Sequence, residues 1–86
     1  MDEIAEWRRQ IDEIDERLVK LLNERAACAV EIGKIKRKKD MEIYNPAREE
    51  SIMQRISQLN KGPLDNPAIQ RLFGQVIEEC KKCEIG

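Results

Sequence analysis

Histidine is missing from the sequence altogether, and tryptophan, tyrosine and phenylalanine occur once each. With no imidazole and only three cysteines, the chain cannot build an ordinary four-ligand zinc site. No glycine-rich phosphate cradle is present among its four glycines. There is no excess of either charge: 16 basic residues face 17 acidic ones, for a formal net charge of −1. No global field therefore favours nucleic acid or an anionic membrane. No apolar run is long enough to cross a bilayer. The first residues are acidic and amphipathic, unlike a signal peptide. An odd number of cysteines, none near the start, speaks against a secreted disulfide framework and makes a reducing cytoplasm the expectation. What the chain does have is charge, 38 % of its residues, and 41 % hydrophobic residues with few aromatics. That profile suits a single helical domain, residues 1–86, with thin cores rather than a sheet.

Helical periodicity predicts three helices, one long and two shorter, over about 2–39, 46–59 and 67–84. Along the first, Ile4, Trp7, Ile11, Ile14, Leu18, Leu21, Cys28, Ile32 and Ile35 recur at steps of three and four, apart from one gap. Gly33 is its only weak point. Asn45-Pro46 reads as an N-cap followed by proline at the first helical position, and Asn66-Pro67 repeats the signal. Gly62 and Pro63 stop the second helix. Its inward residues are expected to be Ile52, Met53, Ile56 and Leu59. Those of the third are Ile69, Leu72, Phe73, Val76, Ile77 and Cys80.

A first helix of about 37 residues spans about 55 Å. A compact monomer of this size has a radius of gyration of about 12 Å, so two shorter helices cannot wrap such a rod. The apolar seam nevertheless runs from end to end. A second copy of the chain is the expected cover, giving an intertwined homodimer; a helix broken at Gly33 is the alternative.

The gap in the seam is Arg25, a guanidinium where an apolar side chain belongs. Lys36 follows it by about three turns, about 16 Å along the same side of the helix. Arg48 and Glu49 begin the inward face of the second helix, and the stripe of the third ends in Cys80 and Glu84. Arg25 and Lys36 can pair with Glu49 and Glu84 as structural salt bridges. With Arg48 counted, however, cations exceed carboxylates in an apolar setting, which favours a small dianion as guest. Arg8 lies about 25 Å from Arg25 on the same helix, out of reach within one chain but not across an antiparallel dimer.

These residues carry a resemblance. "WRRQIDEIDERLVKLLNERAACAVEIGKIK", "IYNPAREESIMQRI" and "GPLDNPAIQRLFGQVIEEC", with the ordered spacing Arg8, Arg25, Lys36, Arg48-Glu49, make the chain similar to the all-helical chorismate mutases over nearly its whole length. The resemblance implies a domain-swapped dimer whose sites each combine three helices of one chain with an arginine of the other. It implies that Arg25 and the second chain's Arg8 bind the two carboxylates of the substrate. Lys36 would hold a carboxylate and the ether oxygen of the breaking bond. Glu49 would accept from the ring hydroxyl with Asn45 nearby, Arg48 would line the same wall, and Cys80 and Glu84 would close the pocket. Asn45 stands where aspartate is frequent in the family, Cys80 where serine is, and Glu84 where glutamine is. A donor at the ether oxygen must carry a proton, so Glu84 is expected to act in its protonated form.

The implied reaction converts chorismate to prephenate, a unimolecular rearrangement that needs no cofactor or metal. Two other functions fit the same pattern: an isochorismate-pyruvate lyase on the same scaffold, and a non-catalytic helical dimerisation module. "KIKRKK" (Lys34 to Lys39) reads as solvated lysines complementing a helix dipole rather than as a nucleic-acid patch. "CKKC" (Cys80 to Cys83) lies too late in its helix for a redox pair, which works at a helix N-terminus.

Overall fold

The structure, a computed structural model, describes residues 2–86. It is all-α, with three helices: α1 over Glu3–Lys38, α2 over Pro46–Leu59 and α3 over Asn66–Ile85. Each starts on a side-chain cap that satisfies a backbone donor otherwise left without a partner. Asp2 accepts from the Ile4 amide at 3.0 Å, and Asn45 from the Arg48 amide at 3.0 Å. At α3 the cap is Asp65, which accepts from the Ala68 amide at 2.9 Å. This lies one residue before the expected Asn66, and Asn66 has other work. Its Oδ1 accepts from Asn60 Nδ2 at 2.8 Å, and the same amide donates to the Leu64 carbonyl at 2.8 Å, closing the α2–α3 turn.

The end of α1 is built without glycine. Asp40 takes the left-handed conformation at φ 54°. The Met41 amide then donates back to the Lys36 carbonyl at 2.8 Å and the Asp40 amide to the Arg37 carbonyl at 3.4 Å. This paired 6→1 and 5→2 closure terminates the helix and turns the chain back over its last turn.

Gly33 does not break α1, which runs unbroken past it. The residue is buried, and a Cβ placed there would overlap the backbone carbonyl of Glu84 on α3. Its missing side chain is what lets the two helix backbones touch. α3 is the middle element: it packs on the C-terminal half of α1 and on α2, while α1 and α2 stay apart. The buried apolar residues are Ala29, Ile56, Ile77 and Cys80. Leu59 and Leu72, expected inward, are exposed. Leu59 is the last residue of α2, and Leu72 falls beside the stripe that α3 turns to its neighbours, so within one chain no helix covers either.

The chain is a rod, 59 × 23 × 15 Å with a radius of gyration of 16.2 Å. The N-terminal half of α1 projects bare: Trp7 is 65 % exposed, Ile11 53 % and Leu18 49 %. No helix among the described residues is long and apolar enough to cross a membrane.

Replacing Gly33 by alanine forces α3 away from α1. Gly33→Ala is expected to destabilise by roughly 1–3 kcal/mol, the usual cost of overpacking a tight contact. Urea unfolding at fixed protein concentration measures it; an unchanged midpoint contradicts the close approach of the two backbones.

Candidate active site

Because α1 and α2 do not pack on each other, the space between them stays open, with α3 as its floor. The result is a cleft of about 340 Å³, the size of a small-molecule site. Arg25, Cys28, Ala29, Ile32 and Lys36 of α1 line one wall. Arg48, Glu49 and Ile52 of α2 line the other, and Ile77, Cys80, Lys81 and Glu84 rise from α3. Of the eight residues expected in the site, seven meet here: Arg25, Lys36, Asn45, Arg48, Glu49, Cys80 and Glu84. The eighth, Arg8, is exposed on the bare half of α1 and does not line the cleft.

Lys36 is held from two sides. Its Nζ donates to the Ile43 carbonyl at 3.1 Å, in the segment that the Asp40 turn sends back over the helix. It also faces Glu84 Oε1 at 3.6 Å, with both side chains about 15 % exposed. At that separation the two attract as charges without a hydrogen bond, so the Glu84 oxygens remain free toward the cleft. Glu84 itself is fixed through its backbone: Arg37 Nη1 reaches from α1 to the Glu84 carbonyl at 2.6 Å and to the Ile85 carbonyl at 3.3 Å. Cys80 is buried at the floor and is not disulfide-bonded.

Glu49 does not pair with Arg25. Its Oε2 lies 3.2 Å from Nζ of Lys81, which also meets Glu78 at 3.0 Å and sits 4.9 Å above the Tyr44 ring. Arg25 forms no salt bridge with any described carboxylate. Among the described residues, the Arg48 guanidinium reaches only the Ser51 hydroxyl, at 3.5 Å. Four cations thus line a cleft that has two carboxylates. Glu78 first, and Glu49 with it, holds the Lys81 ammonium above the ordinary lysine range against the opposing effect of burial. A raised lysine pKa means the charge persists through neutral pH. Its contribution to stability is complete below the ordinary lysine value and is lost only as pH rises through the raised one.

A family model described as chorismate mutase type II matches residues 7–85. The chain belongs to the type II chorismate mutase family. Its backbone is similar to that of the chorismate mutase of Thermus thermophilus (form II), with a TM-score of 0.95 and 26 % identity over 96 % of this chain and 94 % of that one. The Helicobacter pylori chorismate mutase solved in complex with prephenate is 31 % identical, with a TM-score of 0.85 over 96 % of this chain and 91 % of that one. A bifunctional chorismate mutase/prephenate dehydratase of Pseudomonas aeruginosa is 39 % identical across 88 residues, 96 % of this chain but 24 % of that protein. The chain thus spans about a quarter of the length of the bifunctional relatives it matches.

Two residues of this type II chain escaped the sequence reading. Lys81 hides in "CKKC", where attention goes to the thiols; its signal is that it follows Cys80 and precedes Glu84 by three, the spacing of one helix face. Arg37 hides in "KIKRKK". There Lys34 pairs with Glu31 at 3.2 Å, while Arg37 closes the end of α3.

Asn45 lines the cleft, but its Oδ1 is occupied as the cap of α2. Asn45→Ala is expected to cost about 1 kcal/mol of stability, and Asn45→Asp to retain the cap. Equal losses for the two substitutions in urea unfolding contradict this capping role.

Proposed function

We propose that residues 1–86 form a chorismate mutase domain that rearranges chorismate to prephenate in the cleft between α1 and α2, working in the cytoplasm on the way to phenylalanine and tyrosine. The observation that carries this reading is the surplus of cations over carboxylates in that cleft, on a chain of this family. Chorismate is a dicarboxylate, and its two negative charges offset part of that surplus. Arg25, without a carboxylate partner among the described residues, offers a planar fork for one carboxylate. Three free thiols suit a reducing compartment.

The rearrangement breaks a C–O bond and forms a C–C bond within one molecule, through a chair-like transition state. The cationic groups bind the enolpyruvyl arm and hold it over the ring, so the reacting carbons start near bonding distance. Negative charge grows on the ether oxygen as its bond breaks. Lys36 and Glu84, adjacent at the α1–α3 contact, are the donors placed to receive it. Glu84 can donate there only when it carries a proton. Glu49 accepts the hydrogen bond of the ring hydroxyl, Asn45 and Arg48 line that wall, and Cys80 closes the floor.

The working unit in this proposal is a domain-swapped homodimer. The bare apolar seam from Ile4 to Leu22 supports it, since an exposed stripe of this length is costly in water. In an antiparallel arrangement, Arg8 of one copy reaches the other copy's cleft and meets the substrate's second carboxylate.

Incubation with chorismate and, separately, with isochorismate tests the function. Prephenate from chorismate is the expected result; salicylate and pyruvate from isochorismate alone point to the lyase, and no product from either to a dimerisation module. Sharing of the site has its own test. Arg8→Ala and Arg25→Ala homodimers are each expected to lose most activity. Random exchange between them assembles one intact site in half of the dimers and restores about a quarter of wild-type activity. Verified exchange without recovery contradicts the shared site.

A further inference from the structure

Nothing in the family reading assigns a role to Lys81, and its surroundings give it one. Its side chain is 22 % exposed at the cleft wall, its ammonium lies over the Tyr44 ring, and it faces a carboxylate on each side. Glu78, one turn earlier on α3, points to solvent with its side chain 56 % exposed. Glu49 belongs to α2 and lines the cleft. The Lys81–Glu49 pair is therefore an ionic tie between the α3 floor and the α2 wall of the cleft. The tie comes closest at Oε2, 3.2 Å from the ammonium, and Glu49 lines the cleft, where its carboxylate can accept a hydrogen bond from a ligand.

We propose that Lys81 is a positioning residue of the site: through its pair with Glu49 and its seat on Tyr44 it holds the Glu49 carboxylate aimed at the ring hydroxyl of the bound substrate. The proposal rests on the mutase reading. It also adds to the selectivity of the cleft, because an ionised carboxylate accepts hydrogen bonds and cannot donate one. A ligand with a hydroxyl at that position is favoured over one that presents only an acceptor. Lysine suits the task because its ammonium has three donors, enough for both carboxylates and the ring at once.

The test is a double-mutant cycle on the full chain with two readouts, kcat/KM for chorismate and Kd for prephenate, which keeps the hydroxyl and both carboxylates. Lys81→Met is expected to lower kcat/KM about tenfold and weaken prephenate by a similar factor, in keeping with the loss of a charge-assisted contact. Lys81→Arg is expected to recover activity to within about threefold of wild type, and Glu78→Gln to stay within about twofold, since only the Glu49 contact matters. In a Glu49→Gln background, Lys81→Met is expected to change either readout less than about twofold, because nothing is left to position. Equal losses in both backgrounds, or no loss in the wild-type background, overturn the proposal. Wild-type protein that binds prephenate with this coupling but leaves chorismate unchanged sinks the mutase reading alone. Failure to bind prephenate as well overturns both.

Discussion

An unbalanced set of charges on inward helix faces governs this molecule. Arg25 occupies a position in the apolar seam of α1 and forms no salt bridge among the described residues. Lys36, Lys81 and Arg48 line the same cleft, and Glu49 and Glu84 neutralise only part of the total. No charged side chain among the described residues is buried, but Arg25, Lys36 and Lys81 are only partly exposed, and a surplus of cations in such a cleft attracts an anion. The proposed dianionic guest would offset that surplus, and the space between α1 and α2 is open. α3 separates α1 from α2, Gly33 brings α3 close enough to set Glu84 beside Lys36, and the Asp40 turn returns the chain to hold Lys36 from the other side. Electrostatic catalysis requires this kind of preparation, because donors fixed before the reaction need not reorganise during it.

Length supplies the second constraint. A 36-residue helix extends beyond anything the other two helices can cover, and its uncovered half carries Trp7, Ile11 and Leu18 with Arg8 beside them. In the proposed dimer one feature answers two needs: the seam finds a cover, and the cleft receives a further cation for the second carboxylate. Folding and function then depend on the same association, and apparent stability varies with protein concentration.

Much of this was legible in the residues. The three helices and the inward setting of Arg25, Lys36, Glu49 and Glu84 follow from a 3.6-residue period and from the Asn45-Pro46 start, because those signals are local. Partnerships across helices were not legible. Glu49 pairs with Lys81 rather than Arg25, and periodicity alone cannot rank two cations on different helices. Gly33 read as a weak point because intrinsic propensity registers its flexibility, whereas the structure uses its missing side chain. The cap of α3 is Asp65 rather than Asn66, whose side chain is engaged by Asn60 across the turn, a contact that no local pattern encodes. Leu59 and Leu72 looked inward by spacing, but a face is buried only where a neighbour exists to bury it.

The most direct measurement is a crystal structure of the protein grown with prephenate. The dianion should lie between α1 and α2, with one carboxylate on Arg25, the other on Arg8 of a second copy, and Lys36 within hydrogen-bonding distance of the ligand. A ligand bound elsewhere, or a cleft filled by one chain alone with both Arg8 side chains in solvent, would contradict the proposed site.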